Sequence, residues 1–198
     1  MPAPKVFSGF TNKTAENLLL DAGAFFKNFI VGTDNFDSAV TAGKLLGATQ
    51  GGGTFSAVPT IRNIPIDGVK GSAKGLQQID EWVVTLMANI KEVTQDSIKN
   101  ALGAATIVDG PTGYKKITAN NYIQLTDYID NVVWVGKLAK TDIPVIIVVK
   151  NAISFGGLTL NMADKSEGLI PTTFTGHYDA AALDTPPFEI YYPDSTVV

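Results

Sequence analysis

The stretch GATQGGGT, Gly47–Thr54, stands one residue away from a phosphate-binding loop. In the pattern G-x-x-x-x-G-K-[ST], Gly47 and Gly52 take the two glycine positions and Thr54 the hydroxyl position. Gly53 stands where the phosphate-reaching lysine belongs. The following TFSAVPTIR reads as strand, whereas a phosphate loop feeds a helix, and three successive glycines oppose helix formation. The stretch predicts a pliable loop tip. The second candidate is His177, the sole histidine, with Asp179, Thr175 and Thr173 at strand spacing beside it. A nucleophilic relay needs hydroxyl, imidazole and carboxylate in direct contact, so a structural or interface histidine is the expectation. Asp127, Asp130, Asp142, Asp164, Glu167 and Asp179 are scattered near turns, with neither a glycosidase pair nor an EF-hand spacing. Without cysteine there is no thiolate metal site. The reading is a protein that is not an enzyme and takes no cofactor and no metal.

Charge narrows the class further. Fifteen Lys+Arg face nineteen Asp+Glu, and Arg62 is the single arginine. A sequence reader of DNA needs several arginines for bidentate contacts, and a non-specific binder needs a basic stripe. Neither pattern is present, so gripping of nucleic acid is excluded while passive passage is not. Charged residues make up 17% of the chain against 45% hydrophobic ones, which fits either surface hidden by assembly or a monomer with a polar, uncharged surface. The N-terminal stretch lacks a basic start followed by an apolar run, and the longest apolar run, Ile143–Val149, is too short for a membrane helix. The expectation is a soluble chain made in the cytoplasm that does not bind membranes.

The elements that would position these residues read as one domain over 1–198. Residues 1–12 carry two prolines and no period, an extended arm. ENLLLDAGAFFKNFIVG suggests a hairpin or bulged strand around Gly23. Residues 32–54 form a long Gly-rich loop, with a short helical turn allowed over Ser38–Leu46. Strands are expected at TFSAVPTIRNIPIDGV, which two prolines place at an edge, and at WVVTLMANIKEV, with Trp82, Val84, Leu86, Ala88 and Ile90 on one face. One helix spans 94–103, with Thr94 as N-cap, Asp96 in the first turn, Gly103 closing it, and Ile98, Ala101, Leu102 and Ala105 on its buried face. DGPTGY is a turn. YIDNVVWVGKL and IPVIIVVKNAISF are paired strands, the second apolar on both faces and therefore central. A GGLTLNMADKSEG turn leads into LIPTTFTGHYDA, and PPFEIYYP closes the chain at an edge. The tally is about eight strands and one helix, a mainly β, antiparallel sandwich or barrel. Its expected core includes Trp82, Leu86, Ile90, Ile98, Leu102, Trp134, Ile146, Val148 and Phe174.

From about residue 50 onward, the order and spacing of GGGTFSAVPTIRNIPIDGVKG, IDEWVVTLMANIKEVTQDSIKNALGA, YIDNVVWVGKL, PVIIVVKNAISFGGLTLNMADKSEGLIPTTFTGHYD and PPFEIYYP resembles the phage tail tube (major tail) protein family. The resemblance implies a β-sandwich subunit with a flanking helix. Six copies would join their sheets into a homohexameric ring whose inner wall is a β-barrel, and rings would stack into the hollow tail tube of a long-tailed phage. Implied partners are further copies of the chain, a tape-measure protein in the lumen during assembly, and tail terminator and distal tail proteins at the tube ends. Double-stranded DNA would pass without specific contact, and the mature location would be the virion tail. On this reading the segment bearing Gly32, Asp34, Asn35, Gly47, Gly51, Gly52 and Gly53 is a subunit-interface loop that orders on assembly. Two alternatives stay open: a tube subunit of a contractile tail or tailocin, and a free-standing β-sandwich binding module, which would show exposed aromatics on its loops, with Tyr114, Tyr191 and Tyr192 as candidates.

Overall fold

In a computed structural model, residues 9–11, 13–19, 21–139 and 141–194 are described; most of the expected arm 1–12 lies outside them. The chain is mainly β and antiparallel. In order it runs β1 (Ala24–Lys27), α1 (Phe36–Thr41), β2 (Thr49–Asn63), β3 (Gln77–Ile90), α2 (Gln95–Leu102), β4 (Ala105–Asp109), β5 (Lys115–Ala119), β6 (Ile129–Gly136), β7 (Val145–Ser154), β8 (Asn161–Ala163), β9 (Ser166–Thr175) and β10 (Phe188–Tyr191).

The strand path β1-β6-β7-β9-β3-β2 folds into two facing layers because β7 belongs to both. Its first part pairs with β6 and β10, and Ile153–Ser154 pair with β9. The switch falls just after Asn151, whose φ of 46° is a left-handed value that asparagine tolerates better than most residues. Its side-chain amide donates to the His177 carbonyl (3.1 Å). Between the layers, Phe25, Val132, Trp134 and Val149 meet Val84, Leu86, Ala88, Ile90 and Phe174. The period of two on β3 thus buries Val84, Leu86, Ala88 and Ile90, as the alternation predicted. The indole N–H of Trp134 donates to the Ala22 carbonyl (2.8 Å), so the polar edge of this buried ring is satisfied.

The β1-β6-β7 layer is apolar on its second face too. Phe26, Val133 and Val148 point away from the main core and are covered by Phe29 and by Ala39 of α1. This is why VVWVG and VIIVV lack alternation: both faces are covered. The expected central position of the second strand is what the sheet order has, and β2 and β10 lie at edges as expected.

Several expectations need correction. The interval 32–54 is not one loop. Asn35 caps α1 in a reciprocal pair with Ser38, and Asp34 clasps Lys44 at 2.5 Å across the helix. From Thr49 onward the chain is strand, with Gly51–Gly53 inside a register shift against β3. Gly51 and Gly52 take φ of 76° and 65°, and a Cβ on Gly53 would lie 2.0 Å from the Met87 carbonyl oxygen, so glycine is required by shape. The strand expected from Trp82 to Val93 runs Gln77–Ile90, which lengthens the β2–β3 hairpin by five residues at its far end. The β4–β5 hairpin around the expected DGPTGY turn was not foreseen. In the first apolar segment, β1 spans four residues and Leu18 and Leu19 are exposed. Helix α2 has its expected N-cap and its Gly103 end (φ 71°), but its buried stripe is Ser97–Ala101. Ile98 and Leu102 are half-buried, because the small row lets the helix sit close to the sheet. Ile146 and Trp82 are also half-buried. Trp82 packs at the sandwich end against Phe188, with ring centroids 5.4 Å apart.

Candidate functional site

The phosphate-loop reading fails on geometry. No helix follows Gly47–Thr54; Thr49 opens β2. The Ala48 amide, which a phosphate would need, donates instead to the carboxylate of Glu92 (2.9 Å). An acid on the loop's own amide is the opposite of an anion cradle.

His177 is a structural bracket. Its Nδ1–H donates to the Asn151 carbonyl (3.1 Å) and its backbone N–H to the Lys150 carbonyl (3.1 Å). Tyr128 and Phe155 pack against its ring edge-on, at 5.2 and 5.3 Å. Asp179 accepts from the Ala181 amide (2.8 Å), so the carboxylate imagined as its relay partner braces a turn. Three of the other carboxylates are held separately: Asp127 by the Gln124 amide, Asp142 by Lys137, Glu167 by Lys91. Lys91 and Glu167's own amide hold that last carboxylate below the usual range, the backbone bond contributing most. Among the described residues no group of three His, Asp or Glu side chains could hold a metal ion. Arg62 lies along the far end of the β2–β3 hairpin, its Nε donating to Asp80 (3.1 Å) and its guanidinium to Gln78 (3.0 Å). The only arginine is thus a cross-strand clasp.

What the fold does present is strand edge and exposed apolar surface. Among the described residues β2 has β3 on one side and no strand on the other, an open edge. The direction of its free groups follows from the ladder. The Trp82 amide donates to the Tyr178 hydroxyl (2.8 Å), and the Val84 carbonyl accepts from the Gly176 amide (2.9 Å); both therefore point away from β2. Their partners Pro59 and Ala57 are then non-hydrogen-bonded positions, and the backbone groups of Phe55 and Ala57 aim at the open side. Pro59 sits where its missing N–H faces outward, the one place a strand tolerates it. Between the glycine bulge and Pro59, Thr54–Val58 is a regular, uncharged stretch of open edge.

Beyond the sandwich, the β2–β3 hairpin continues as a projection. Val58 and Val83 form an exposed cross-strand pair, as do Ile61 and Ile79, and Ile64, Ile66 and Val69 are exposed in the turn. At the opposite end of the same hairpin lies a groove of about 900 Å³ on the second apolar face. Phe26, Phe29, Phe36, Leu45 and Ile146 form its apolar wall, and Asp21, Asp34, Glu92 and Asp142 lie around it with one lysine, Lys137. Phe36 is 56% exposed with its ring edge-on to Phe26 at 5.8 Å.

Of the residues expected in an interface loop, Asp34, Asn35 and Gly47 line this groove. Gly51, Gly52 and Gly53 line an adjoining hollow with Phe25 and Trp134. Gly32 lies in the turn after β1 and lines neither. Phe36 and Leu45 were missed and Ile146 was expected only as core; the signal for α1 was Asn35 followed three residues on by Ser38. No family model matches the chain, and no curated protein matches it. Among the described residues no helix is long and apolar enough to cross a membrane.

Proposed function

We propose that the chain is a structural assembly subunit that joins its sheets edge to edge into rings, and that the rings stack into a hollow tube, the tail tube of a long-tailed phage. The observation that carries the assembly reading is the open edge of β2, a 15-residue strand whose regular stretch Thr54–Val58 is uncharged and aims backbone groups outward. A strand of that kind templates pairing with another chain, and a ring satisfies every edge by closure. The tail tube, the number six, the tape-measure protein in the lumen and the terminator and distal proteins at the ends rest on the sequence resemblance. Acidity is in keeping with the role: a net charge of −4 and a single, clasped arginine suit a wall that duplex DNA slides past.

The test is sedimentation velocity over a range of protein concentrations. The reading expects a discrete species of six times the 21.0 kDa subunit, or larger stacks of it. A monomer at every concentration overturns it.

One observation favours a second reading, a free-standing binding module. Tyr114 (74% exposed), Tyr122 and Leu125 stand out on the β4–β5 hairpin and the segment leaving it. Exposed aromatics on a projecting hairpin suit ligand contact. A persistent monomer whose Tyr114→Ala variant loses binding on a glycan array would establish that reading in place of the tube.

A further inference from the structure

We infer that Asp67 is a covalent modification site: its side chain closes onto the Gly68 amide and reopens as isoaspartate, while the chain's other Asp-Gly step is held shut by the fold. Nothing in this depends on assembly, since one turn of one subunit is involved.

The reaction needs a side-chain carboxyl, a free backbone N–H on the next residue, and a next residue small enough to let them meet. The Gly68 nitrogen attacks the Asp67 side-chain carbonyl carbon and a C–N bond forms. The carboxyl OH leaves with the amide proton as water, and the product is a cyclic imide. Water then adds back at either imide carbonyl. Opening at one returns aspartate; opening at the other routes the backbone through the side chain, giving isoaspartate with a free α-carboxylate. No oxidant, metal or second substrate is consumed.

Asp-Gly occurs twice, at 67–68 and at 109–110. Sequence makes the two alike, and the fold separates them. Asp67 and Gly68 are the central residues of a turn closed by the Val69 amide on the Ile66 carbonyl (3.1 Å), and both are exposed beyond the far end of β2. Among the described residues neither the Asp67 carboxylate nor the Gly68 N–H has a partner. Gly68 takes a φ of 83°, and a Cβ placed on it would meet nothing within 4 Å, so no packing holds the turn. The attacking nitrogen has no bond of its own to give up.

At 109–110 both reactants are occupied. The Gly110 N–H donates to the Tyr114 carbonyl (3.1 Å), and the Lys115 ammonium clasps the Asp109 carboxylate across the β4–β5 ladder. Asp37–Ser38 and Asp96–Ser97 are the next steps in order of a small following residue. Their serine amides donate to the side chains of Asn35 (2.9 Å) and Thr94 (3.0 Å) in the helix caps. Reaction at these places must wait for local opening, whereas Asp67 reacts from the folded state.

The test is to incubate the folded protein at neutral pH, digest it, and map it by electron-transfer fragmentation, which tells isoaspartate from aspartate at equal mass. A parallel sample is given an isoaspartyl methyltransferase and labelled S-adenosylmethionine, which esterify the new α-carboxylate. Isoaspartate should accumulate at 67 roughly tenfold or more faster than at 109, the factor that a broken hydrogen bond and ion pair impose. The methyl label should follow the same ratio. In urea the two Asp-Gly steps should converge. Lys115→Ala should raise the rate at 109 in the folded protein and leave that at 67 unchanged. Equal rates at 67 and 109 in the folded protein overturn the inference. So does a lead at 67 that persists undiminished in urea, because the preference would then belong to the sequence and not to the fold.

Discussion

Ala57→Pro is the perturbation that separates assembly from folding. Ala57 faces Val84, whose carbonyl is turned to the Gly176 amide, so the Ala57 N–H looks out over the open edge and pairs with no strand among the described residues. Removing it leaves the β2–β3 ladder whole. Ser56 stays extended, the conformation favoured before proline, and Pro59 already occupies the equivalent position two residues on. The folding stability should therefore change by less than about 1 kcal/mol, a melting shift within roughly 4 °C for a chain of this size. At each joint between copies one hydrogen bond is lost, about 0.5–1.5 kcal/mol net, and a partner carbonyl is stranded at a further ~1–3 kcal/mol. Together these amount to about 1.5–4.5 kcal/mol per joint, or roughly a 10- to 1,600-fold rise in the concentration needed for assembly. Sedimentation velocity and a thermal melt on the same preparation read both quantities. Ser56→Pro is the contrast, since the Ser56 amide faces β3 and its loss should destabilise the fold itself. Assembly of Ala57→Pro at the wild-type concentration would refute the edge argument.

Three further outcomes are expected. Leu86, 1% exposed at the centre of the core, should cost about 2–5 kcal/mol as Leu86→Ala in a denaturant titration, and Leu86→Asp should not fold because its carboxylate would be buried unpaired. Gly53→Ala should destabilise the subunit measurably in the same titration, since its Cβ meets the Met87 carbonyl and Phe25; an unchanged midpoint would mean the bulge is not as drawn. The Asp34 carboxylate is held below the ordinary range, first by its hydrogen bond to Lys44 and then by the Ile30 amide. A lowered folded pKa gives stability that is present above the unfolded value and lost as pH falls through the folded one, so the clasp over α1 should open only on the acid side of the ordinary carboxylate range. Amide exchange at Phe36–Thr41 should quicken there, and Asp34→Asn should be quick at all pH; a pH-independent wild type would contradict the clasp.

How much of this was legible in the sequence varies by element. Leu86 and its neighbours were readable because one face of β3 is buried and the other is not, so burial and spacing agree. Thr94 and Gly103 were readable as local signals that need no tertiary context. Ile98 and Leu102 misled because size was taken for depth, whereas the helix approaches the sheet through Ser97 and Ala101. The glycines at 51–53 looked like loop because their role is a bulge, and a register shift depends on the opposite strand. The Gln77–Glu81 extension was hidden by its polarity: outside the sandwich a strand has no face to bury, so no alternation marks it. The groove beside α1 was not readable at all, because Phe26, Phe36, Leu45 and Ile146 come from four separate elements or loops.

The most direct measurement of the central claim is negative-stain electron microscopy of the concentrated protein. The account predicts hollow tubes built of stacked rings. Isolated monomers under all concentrations and salt conditions would contradict it.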